Sequence, residues 1–301
     1  MERREFLTKS CAATVAAVSG GALLAQEQAA LPRNPGESDI AYRTRLAQFL
    51  RVQQQALRAQ QQAQQAAQGG AGQYYELRRY EIETEAQKAG FDKLANEAAI
   101  PALNRLGIKP VGVFYPNEGL SPIYVLLPHP SLGSFVTLAQ RLGEDPEFME
   151  KGSDFVNAPA TAPAYKSLEV QLMAAFEGMP QLQTPTEAPT RIFQLRTYES
   201  PSEKAGFKKI EMFNTAEIGI FRKVGLHPVF FGQTLAGTKM PNLTYMLGFQ
   251  DMAESKANWK KFGADPDWQR LRAIPEYMDK EIIRKGGITN LYLKPARYSQ
   301  I

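Results

Sequence analysis

Two short stretches of the sequence carry an arginine followed two residues later by a tyrosine. Arg78 and Tyr80 form the first pair, and Arg196 and Tyr198 form the second. Residues two apart on a strand point to the same face, so each arginine is expected beside its tyrosine. An arginine offers a bidentate charged contact to an acid or carbonyl compound, and a tyrosine adds a hydroxyl donor. These four side chains are therefore candidate ligand-binding residues.

A structural role for the same side chains is also consistent with the pattern. Glu76 and Gln194 lie on the same faces as the two arginines. A buried arginine needs a charged or hydrogen-bonding partner, which Glu76, Glu81 or Glu199 would supply. The arginines and tyrosines would then join two sheets without binding anything. The sequence leaves both interpretations open.

The two stretches belong to a duplicated unit. Four blocks recur in the same order at offsets of 116 to 120: residues 75–81, 88–91, 107–111 and 143–148 return as 193–199, 204–207, 225–229 and 263–268. Self-similarity of this kind indicates two copies of one structural unit. Residues 178–190, rich in Pro, Thr and Gln, are the expected joint.

Hydrophobic spacing within one copy predicts the order β-α-β-β-α-β, which is the ferredoxin-like pattern. The first copy has expected strands near residues 73–83, 110–115, 123–127 and 165–176, and expected helices at 85–106, at 131–141 and from Asp145. Asp145 and Asp265 each precede a proline, which suits a helix N-cap followed by Pro at the first helical position.

A four-stranded sheet with helices on one face leaves its other face bare, and the second copy is the available partner. We therefore predict an α+β protein in which two ferredoxin-like repeats form a dimeric α/β barrel within one chain, with the helices outside. Tyr75, Leu77, Phe193 and Leu195 are assigned to the helix-covered core, so that the arginine face points into the barrel. A cavity of about 300 Å³ or more reaching both arginines would favour binding or catalysis.

The repeated motifs resemble the NIPSNAP family. The resemblance rests on Glu/Gln-Leu-Arg-x-Tyr-Glu, Gly-Ile/Leu-x-Pro-Val and Asp-Pro-x-Phe/Trp, and it covers residues 73–301. It implies one NIPSNAP-like domain at 73–180 and a second at 190–301. The family's domains are dimeric α/β-barrel units, and the biochemical role of exported tandem members is not established, so the resemblance implies fold more than function.

Composition and histidine placement exclude several kinds of site. The 301 residues carry 35 basic and 31 acidic side chains, a net charge of +4, which is too dispersed for a nucleic-acid surface. His129 and His227 have no second ligand at metal-like spacing and are expected as exposed loop histidines. We therefore predict no metal, no cofactor and no nucleic-acid partner, with self-association left open.

The N-terminal 25 residues resemble a twin-arginine signal peptide. Arg3-Arg4 is followed by Phe6-Leu7 and a mildly apolar stretch that contains the only cysteine, Cys11, and small residues end it near Ala25. A plain secretory signal or an amphipathic helix is the alternative. The expected mature protein is periplasmic or extracellular and has no integral membrane segment. Residues 26–72 predict a polar, Gln/Ala-rich helical spacer.

Three functions fit these features. The first is binding of a small, partly apolar ligand in the barrel between the repeats. The second is a cofactor-free oxygenase or isomerase that uses an arginine to stabilise an anion and a tyrosine as proton donor. The third is an interaction protein of the cell envelope.

Overall fold

The computed structural model describes residues 72–301, together with Ser38 and Tyr42. The chain divides into one unit at 1–63 and another at 64–301, and the fold described below belongs to the second unit. The predicted signal peptide and nearly all of the predicted Gln/Ala spacer lie outside the described residues.

The first repeat follows the order of elements predicted from the sequence. Its strands are β1 (Tyr74–Glu81), β2 (Gly112–Pro116), β3 (Ile123–His129) and β4 (Ser167–Ala175). Its helices are α1 (Glu85–Lys93), α2 (Ile100–Arg105), α3 (Leu132–Val136), α4 (Leu138–Gly143), α5 (Pro146–Lys151) and α6 (Ser153–Val156). A π-helical segment, Leu94–Ala99, joins α1 to α2, so one continuous rod covers the predicted first helix.

The second repeat has the same order. Its strands are β5 (Ile192–Glu199), β6 (His227–Ala236), β7 (Asn242–Phe249) and β8 (Ile288–Pro295). Its helices are α7 (Glu203–Met212), α8 (Ile218–Val224), α9 (Met252–Ala264), α10 (Pro266–Arg272) and α11 (Asp279–Ile282), with a 3-10 turn at Pro275–Tyr277. A π-helical segment, Phe213–Glu217, again lies between the first two helices. None of the helices in the described part is both long and apolar enough to span a membrane.

Two aspartates cap the N-termini of helices, as the sequence predicts. Asp145 accepts a hydrogen bond from the Phe148 amide at 2.9 Å, and Asp265 accepts one from the Asp267 amide at 2.8 Å. In each case proline takes the first helical position, where a missing N–H costs nothing. The N-cap prediction is confirmed for both repeats.

The eight strands close into one antiparallel barrel with the order β1-β3-β2-β8-β5-β7-β6-β4. Within each repeat the first strand is flanked by the third and fourth. The repeats join at two seams, where β2 pairs with β8 and β4 pairs with β6. The chain is therefore an α+β protein whose sheet has no free edge, which removes the pairing hazard of an open sheet.

The assignment of faces made from the sequence is wrong. Tyr75 and Leu77 pack with Phe193 and Leu195 of the other repeat, so this face forms the inside of the barrel. Tyr80 instead packs with helix residues such as Phe91, on the outside of the sheet. Alternation separates two faces of a strand but does not say which one meets the helices. Both faces of β1 and β5 are largely buried, so hydrophobicity could not decide between them.

Candidate functional site

The two arginine–tyrosine pairs lie apart, each under the helices of its own repeat. Tyr80 belongs to the helix-covered core of the first repeat, and Tyr198 belongs to that of the second. The barrel wall separates the two clusters, so the arginines do not converge on a common chamber. Binding of a ligand by these four residues stays a prediction, and the geometry gives it no shared cavity.

Arg78 is held by neighbours on its own strand. Its Nε donates to Glu76 Oε1 at 2.6 Å, and its Nη1 lies 3.5 Å from the Tyr80 hydroxyl. The side chain is a quarter exposed, and its guanidinium is held by the Glu76 carboxylate on the same face of the strand. This arrangement matches the structural interpretation that the sequence left open.

His129 is fully buried, and the prediction of an exposed loop histidine is wrong. It ends β3, where Nε2 lies 2.9 Å from Glu76 Oε2 and Nδ1 lies 3.1 Å from the Ser134 hydroxyl. Burial alone would raise the pKa of Glu76, but the bonds from His129 and Arg78 outweigh it and lower that pKa. The flanking prolines suggested a loop, and nothing in the local sequence indicated the contact with β1.

Arg196 occupies the equivalent position in the second repeat with different partners. Its Nη2 donates to the Tyr198 hydroxyl at 3.0 Å, and that hydroxyl lies 2.9 Å from the Tyr245 hydroxyl. The guanidinium stacks on Trp259 at 4.8 Å from the ring centre. Burial raises the pKa of Tyr245, so its hydroxyl remains protonated. Arg196 therefore contacts aromatic side chains, whereas Arg78 contacts the carboxylate of Glu76.

A buried ion pair that the sequence did not predict lies next to this cluster. Lys209 Nζ is 3.0 Å from Glu217 Oε2, and both side chains are 2 % exposed. Burial raises the pKa of Glu217 in spite of the opposing charge of Lys209. Both residues look like helix-surface positions in the sequence. The π-helical segment Phe213–Glu217, which includes Glu217, alters the helical register after Lys209, which is why simple periodicity misses their burial.

The inside of the barrel is packed at one end. Tyr75 and Phe230 have ring centres 5.0 Å apart, and Phe114 and Phe193 have ring centres 4.9 Å apart, so both contacts cross between repeats. Ile301 is buried against the same cluster. These aromatic side chains fill this end of the barrel. This end of the barrel stabilises the closure of the two repeats.

The other end of the barrel opens into a cavity of about 510 Å³, which we call the mouth cavity. Its apolar wall comes from both repeats and includes Leu77, Leu195, Leu291, Leu293 and Tyr124. We call the ring cluster of Tyr75, Phe114, Phe193 and Phe230 the aromatic plug. The cavity residues lie on the same inner faces of the strands, farther along the barrel than the plug. The volume lies within the range of about 300–1,000 Å³ that is typical of small-molecule sites.

A polar group lies on one side of the mouth cavity. Gln171 Nε2 donates to Thr234 at 2.7 Å and to Thr244 at 3.0 Å, and the Thr244 hydroxyl lies 2.9 Å from that of Thr197. Asn242 lies beside them and donates to the Thr238 carbonyl at 2.9 Å. These bonds hold the side chains in fixed orientations, which suits recognition of a few polar atoms on a ligand.

Charged side chains are placed at the rim. Arg79 pairs with Glu81 and lies 3.4 Å from Glu169. Partial burial would lower the pKa of Arg79, but the Tyr124 hydroxyl and the two carboxylates raise it. Lys239 stands in the β6–β7 loop at a φ of 57°, a region that non-glycine residues seldom occupy. The Arg79 charge is already balanced within the protein, so the rim does not demand an anionic ligand.

The mouth cavity is lined by residues that the sequence reasoning did not select. Neither Arg78 nor Arg196 lines it, because both point to the other face of the sheet. The alternation of residues could have identified two of them. Tyr75, Leu77 and Arg79 share one face of β1, and Phe193, Leu195 and Thr197 share one face of β5. Once the aromatic face is placed inside the barrel, these polar ends must lie at the mouth.

Within residues 72–301 the structure has no group of three His, Cys, Asp or Glu side chains placed to share a metal ion. His227 begins β6 with its side chain 45 % exposed, and its Nε2 lies 3.8 Å from Glu254. The prediction of no cofactor remains untested by these contacts.

The model of the NIPSNAP family matches residues 75–162 and 193–300 of the chain. The matched segments lie one in each repeat and together cover more than half of the sequence. No curated protein matches the chain.

Solved structures give likenesses of backbone shape at low identity. A NIPSNAP-like domain protein from Burkholderia xenovorans is 19% identical, covering 36% of this chain and 88% of that chain, with a TM-score of 0.32. A NIPSNAP family protein from Agrobacterium tumefaciens is 18% identical, covering 40% and 98%, with a TM-score of 0.33. A proposed monooxygenase from Lactobacillus acidophilus is 7% identical, covering 74% and 94%, with a TM-score of 0.49. Likeness at these levels says nothing about activity.

Proposed function

Because the chain belongs to the NIPSNAP family, whose solved members include proteins of unknown function, we propose a function from the geometry of this chain: it binds a small, partly apolar molecule in the mouth cavity. The fused repeats then act as the two halves of a single dimeric α/β barrel of ferredoxin-like units. The observation that carries the proposal is a cavity of about 510 Å³ with walls from both repeats, set against a tightly packed opposite end.

The lining favours a molecule with an apolar body and one or two polar atoms. Leucine side chains from β1, β5 and β8 would cover the apolar body and exclude water from it. The fixed amide of Gln171 on β4 and the hydroxyl of Thr289 on β8, which line the cavity from opposite sides of the barrel, would meet its polar atoms. A sugar or a nucleotide is polar over most of its surface and would leave the leucine side chains of the lining without an apolar partner.

The residues proposed for an oxygenase or isomerase do not line the mouth cavity. An enzymatic role required Arg78 or Arg196 to face a substrate chamber, with Tyr80 or Tyr198 as proton donor. These side chains lie outside the barrel wall and away from the mouth cavity. The cavity residues offer binding groups, and binding is the function they support best.

The test fills the cavity with a large side chain at a partly exposed lining position. Thr289 lines the mouth, is partly exposed and makes no side-chain hydrogen bond within the described part of the chain. We expect Thr289→Trp to weaken binding of the neutral fluorescent probe 1-aminoanthracene at least tenfold, because the indole occupies the ligand volume. The matched control is Val136→Trp, at an α3 position that is 74% exposed and remote from the lining.

Three results would refute the proposal: failure of the wild-type protein to bind the probe, equal binding by the Thr289→Trp variant, and equal weakening in both variants. Native mass spectrometry of the purified protein provides a second readout, since a retained small molecule should be lost only from the Thr289→Trp variant.

We also propose that residues 1–25 direct export by the twin-arginine route. The support is the Arg3-Arg4 pair followed by Phe6-Leu7 and a mildly apolar stretch. Replacing both arginines with lysine should retain the protein in the cytoplasm at full length, as followed by fractionation and immunoblotting. Unchanged export of the variant would contradict this route and favour the general secretory pathway.

A further inference from the structure

The strongest unassigned feature is a pocket at the seam where β2 meets β8, which we call the seam pocket. It encloses about 680 Å³. Its floor is formed by Lys88 and Asp92 of α1 and by Tyr115 of β2, and its wall includes Lys294 and Arg297 near the end of β8. It shares no lining residue with the mouth cavity and lies outside the barrel.

The β2–β8 seam can be compared with the β4–β6 seam, because the backbone makes equivalent hydrogen bonds at both. After β8 the Ala296 amide donates to the Val113 carbonyl at 2.8 Å, and after β4 the Phe176 amide donates to the Phe231 carbonyl at 3.1 Å. The next turn also repeats, with Ser299 donating to Ala296 and Met179 donating to Phe176, both at 3.0 Å. Residues 296–299 therefore correspond to residues 176–179.

The β4–β6 seam is filled by its own side chains. Phe176 and Met179 are 2% and 1% exposed and belong to the core of the second repeat. Asn214 of the π-helical segment accepts a hydrogen bond from the Gly178 amide at 3.0 Å. The tail that follows β4, residues 176–179, is thus packed onto the helical segment.

The β2–β8 seam carries smaller and unbonded groups at the same positions. Ala296 replaces Phe176, which removes the ring that fills the other seam. Asn96 corresponds to Asn214, since Asn96-Glu97-Ala98-Ala99-Ile100 aligns with Asn214-Thr215-Ala216-Glu217-Ile218. Asn96 is exposed in the pocket and makes no hydrogen bond through its side chain among the described residues.

The charges also differ between the seams. Lys294 stands where the other seam has Ala174, and Arg297 stands where it has Glu177. Neither Lys294 nor Arg297 forms an ion pair with any residue that the structure describes. Four basic and two acidic side chains line the pocket, so its net charge is positive. Unpaired cations around a concave surface attract anions.

The floor of the pocket is fixed and leaves those cations available. Lys88 Nζ and the Tyr298 hydroxyl contact Asp92 at 2.8 and 2.5 Å, and Tyr115 also donates to this carboxylate. Burial and the Asp92 carboxylate raise the pKa of both tyrosines, so their hydroxyls remain protonated. Asp92 is thereby satisfied by Lys88 and the tyrosines, and it does not neutralise Lys294 or Arg297.

We propose that the seam pocket is a second binding site, which takes a small organic oxyanion, a carboxylate or a phosphate ester. Arg297 and Lys294 contact the oxyanion, Asn96 donates its amide, and Tyr298 provides an aromatic surface for the rest of the molecule. This site is independent of the mouth cavity, and its ligand need not be the molecule bound there.

The test restores the residues of the filled seam. Calorimetric titrations use phenyl phosphate and benzoate as the anionic probes and benzyl alcohol as the neutral probe. The variant Lys294→Ala with Arg297→Glu should weaken the tighter-binding anion at least tenfold. Both residues are exposed and unpaired in the described part, so the variant should keep the wild-type melting temperature. Lys256→Ala, an exposed lysine remote from the pocket, is the matched control.

Tighter binding of phenyl phosphate assigns the site to phosphate esters, and tighter binding of benzoate assigns it to carboxylates; either result supports the proposal. Three results would overturn it: no binding of either anion at millimolar concentration, equal affinity for benzyl alcohol, and an equal loss in the Lys256→Ala control. Binding of 1-aminoanthracene should be the same in the double variant and the wild type, which separates this site from the mouth cavity.

Discussion

At the residue scale, one repeat uses ionised side chains where the other uses neutral ones. Glu76 contacts His129 and Arg78, whereas the corresponding Gln194 accepts a hydrogen bond from the Trp259 indole at 2.6 Å. Both solutions satisfy a buried polar position on the first strand of the repeat. At this position the free energy of unfolding depends on pH only through Glu76, because Gln194 does not titrate.

This difference predicts the behaviour of Glu76→Gln. The pKa of Glu76 lies below its ordinary value of 4.5, so its charged form stabilises the fold. That stabilisation is complete above the ordinary pKa and is lost as the pH falls through the lowered value. We expect the variant to lose about 1–3 kcal/mol of unfolding free energy at pH 6.5. Urea denaturation at a series of pH values should show this gap shrinking towards pH 3.

The control for this prediction is Glu118→Gln, which changes an exposed turn carboxylate. Its effect should stay within about 0.5 kcal/mol at every pH. A Glu76→Gln gap that stayed constant or widened on acidification would show that the charged form of Glu76 does not stabilise the fold.

Residue types alone identified the arginine–tyrosine pairs but not their surroundings. Arg78 and Arg196 satisfy their burial with Glu76 and with Trp259 and Tyr198, and these contacts depend on which face the helices cover. The inside of the barrel, which was expected to be partly polar, is packed with rings at one end. A sequence without that topological information cannot distinguish the two faces, because both are apolar enough to be buried.

At the element scale, most of the architecture followed from local patterns. The repeated blocks, the strand alternation and the Asp-Pro helix starts placed the strands and the main helices, and Asp145 and Asp265 are N-caps as expected. The π-helical segments Leu94–Ala99 and Phe213–Glu217 were not predicted. Their hydrogen-bonding pattern leaves no clear mark on hydrophobic periodicity, and Asn96 and Glu217 lie within these two segments.

The tails after β4 and β8 show how one element can serve two purposes. Their backbones make the same bonds to the adjacent strand, yet one presents Phe176 and Met179 and the other presents Ala296 and Arg297. Duplication supplies two copies of an element, and side-chain changes then close one seam and leave a pocket at the other. This difference became visible only after the register of β8 against β2 was known.

At the scale of the whole molecule, closure of the barrel forms the mouth cavity. The two seams bring β1 and β5 to opposite walls, so their inner faces make both the aromatic plug and the mouth cavity. Neither repeat alone contains the cavity. The sequence predicted closure correctly in outline, but the position of the cavity depended on the orientation of each strand, which no local pattern reports.

The most direct test of this account is a crystal structure of the protein with 1-aminoanthracene bound. We predict the probe in the mouth cavity, with its rings against Leu77, Leu195 and Leu291 and its amine directed to the polar wall near Gln171. Density for the probe against Arg196 and Trp259, on the helix-covered face, would contradict the assignment of the ligand site to the inside of the barrel.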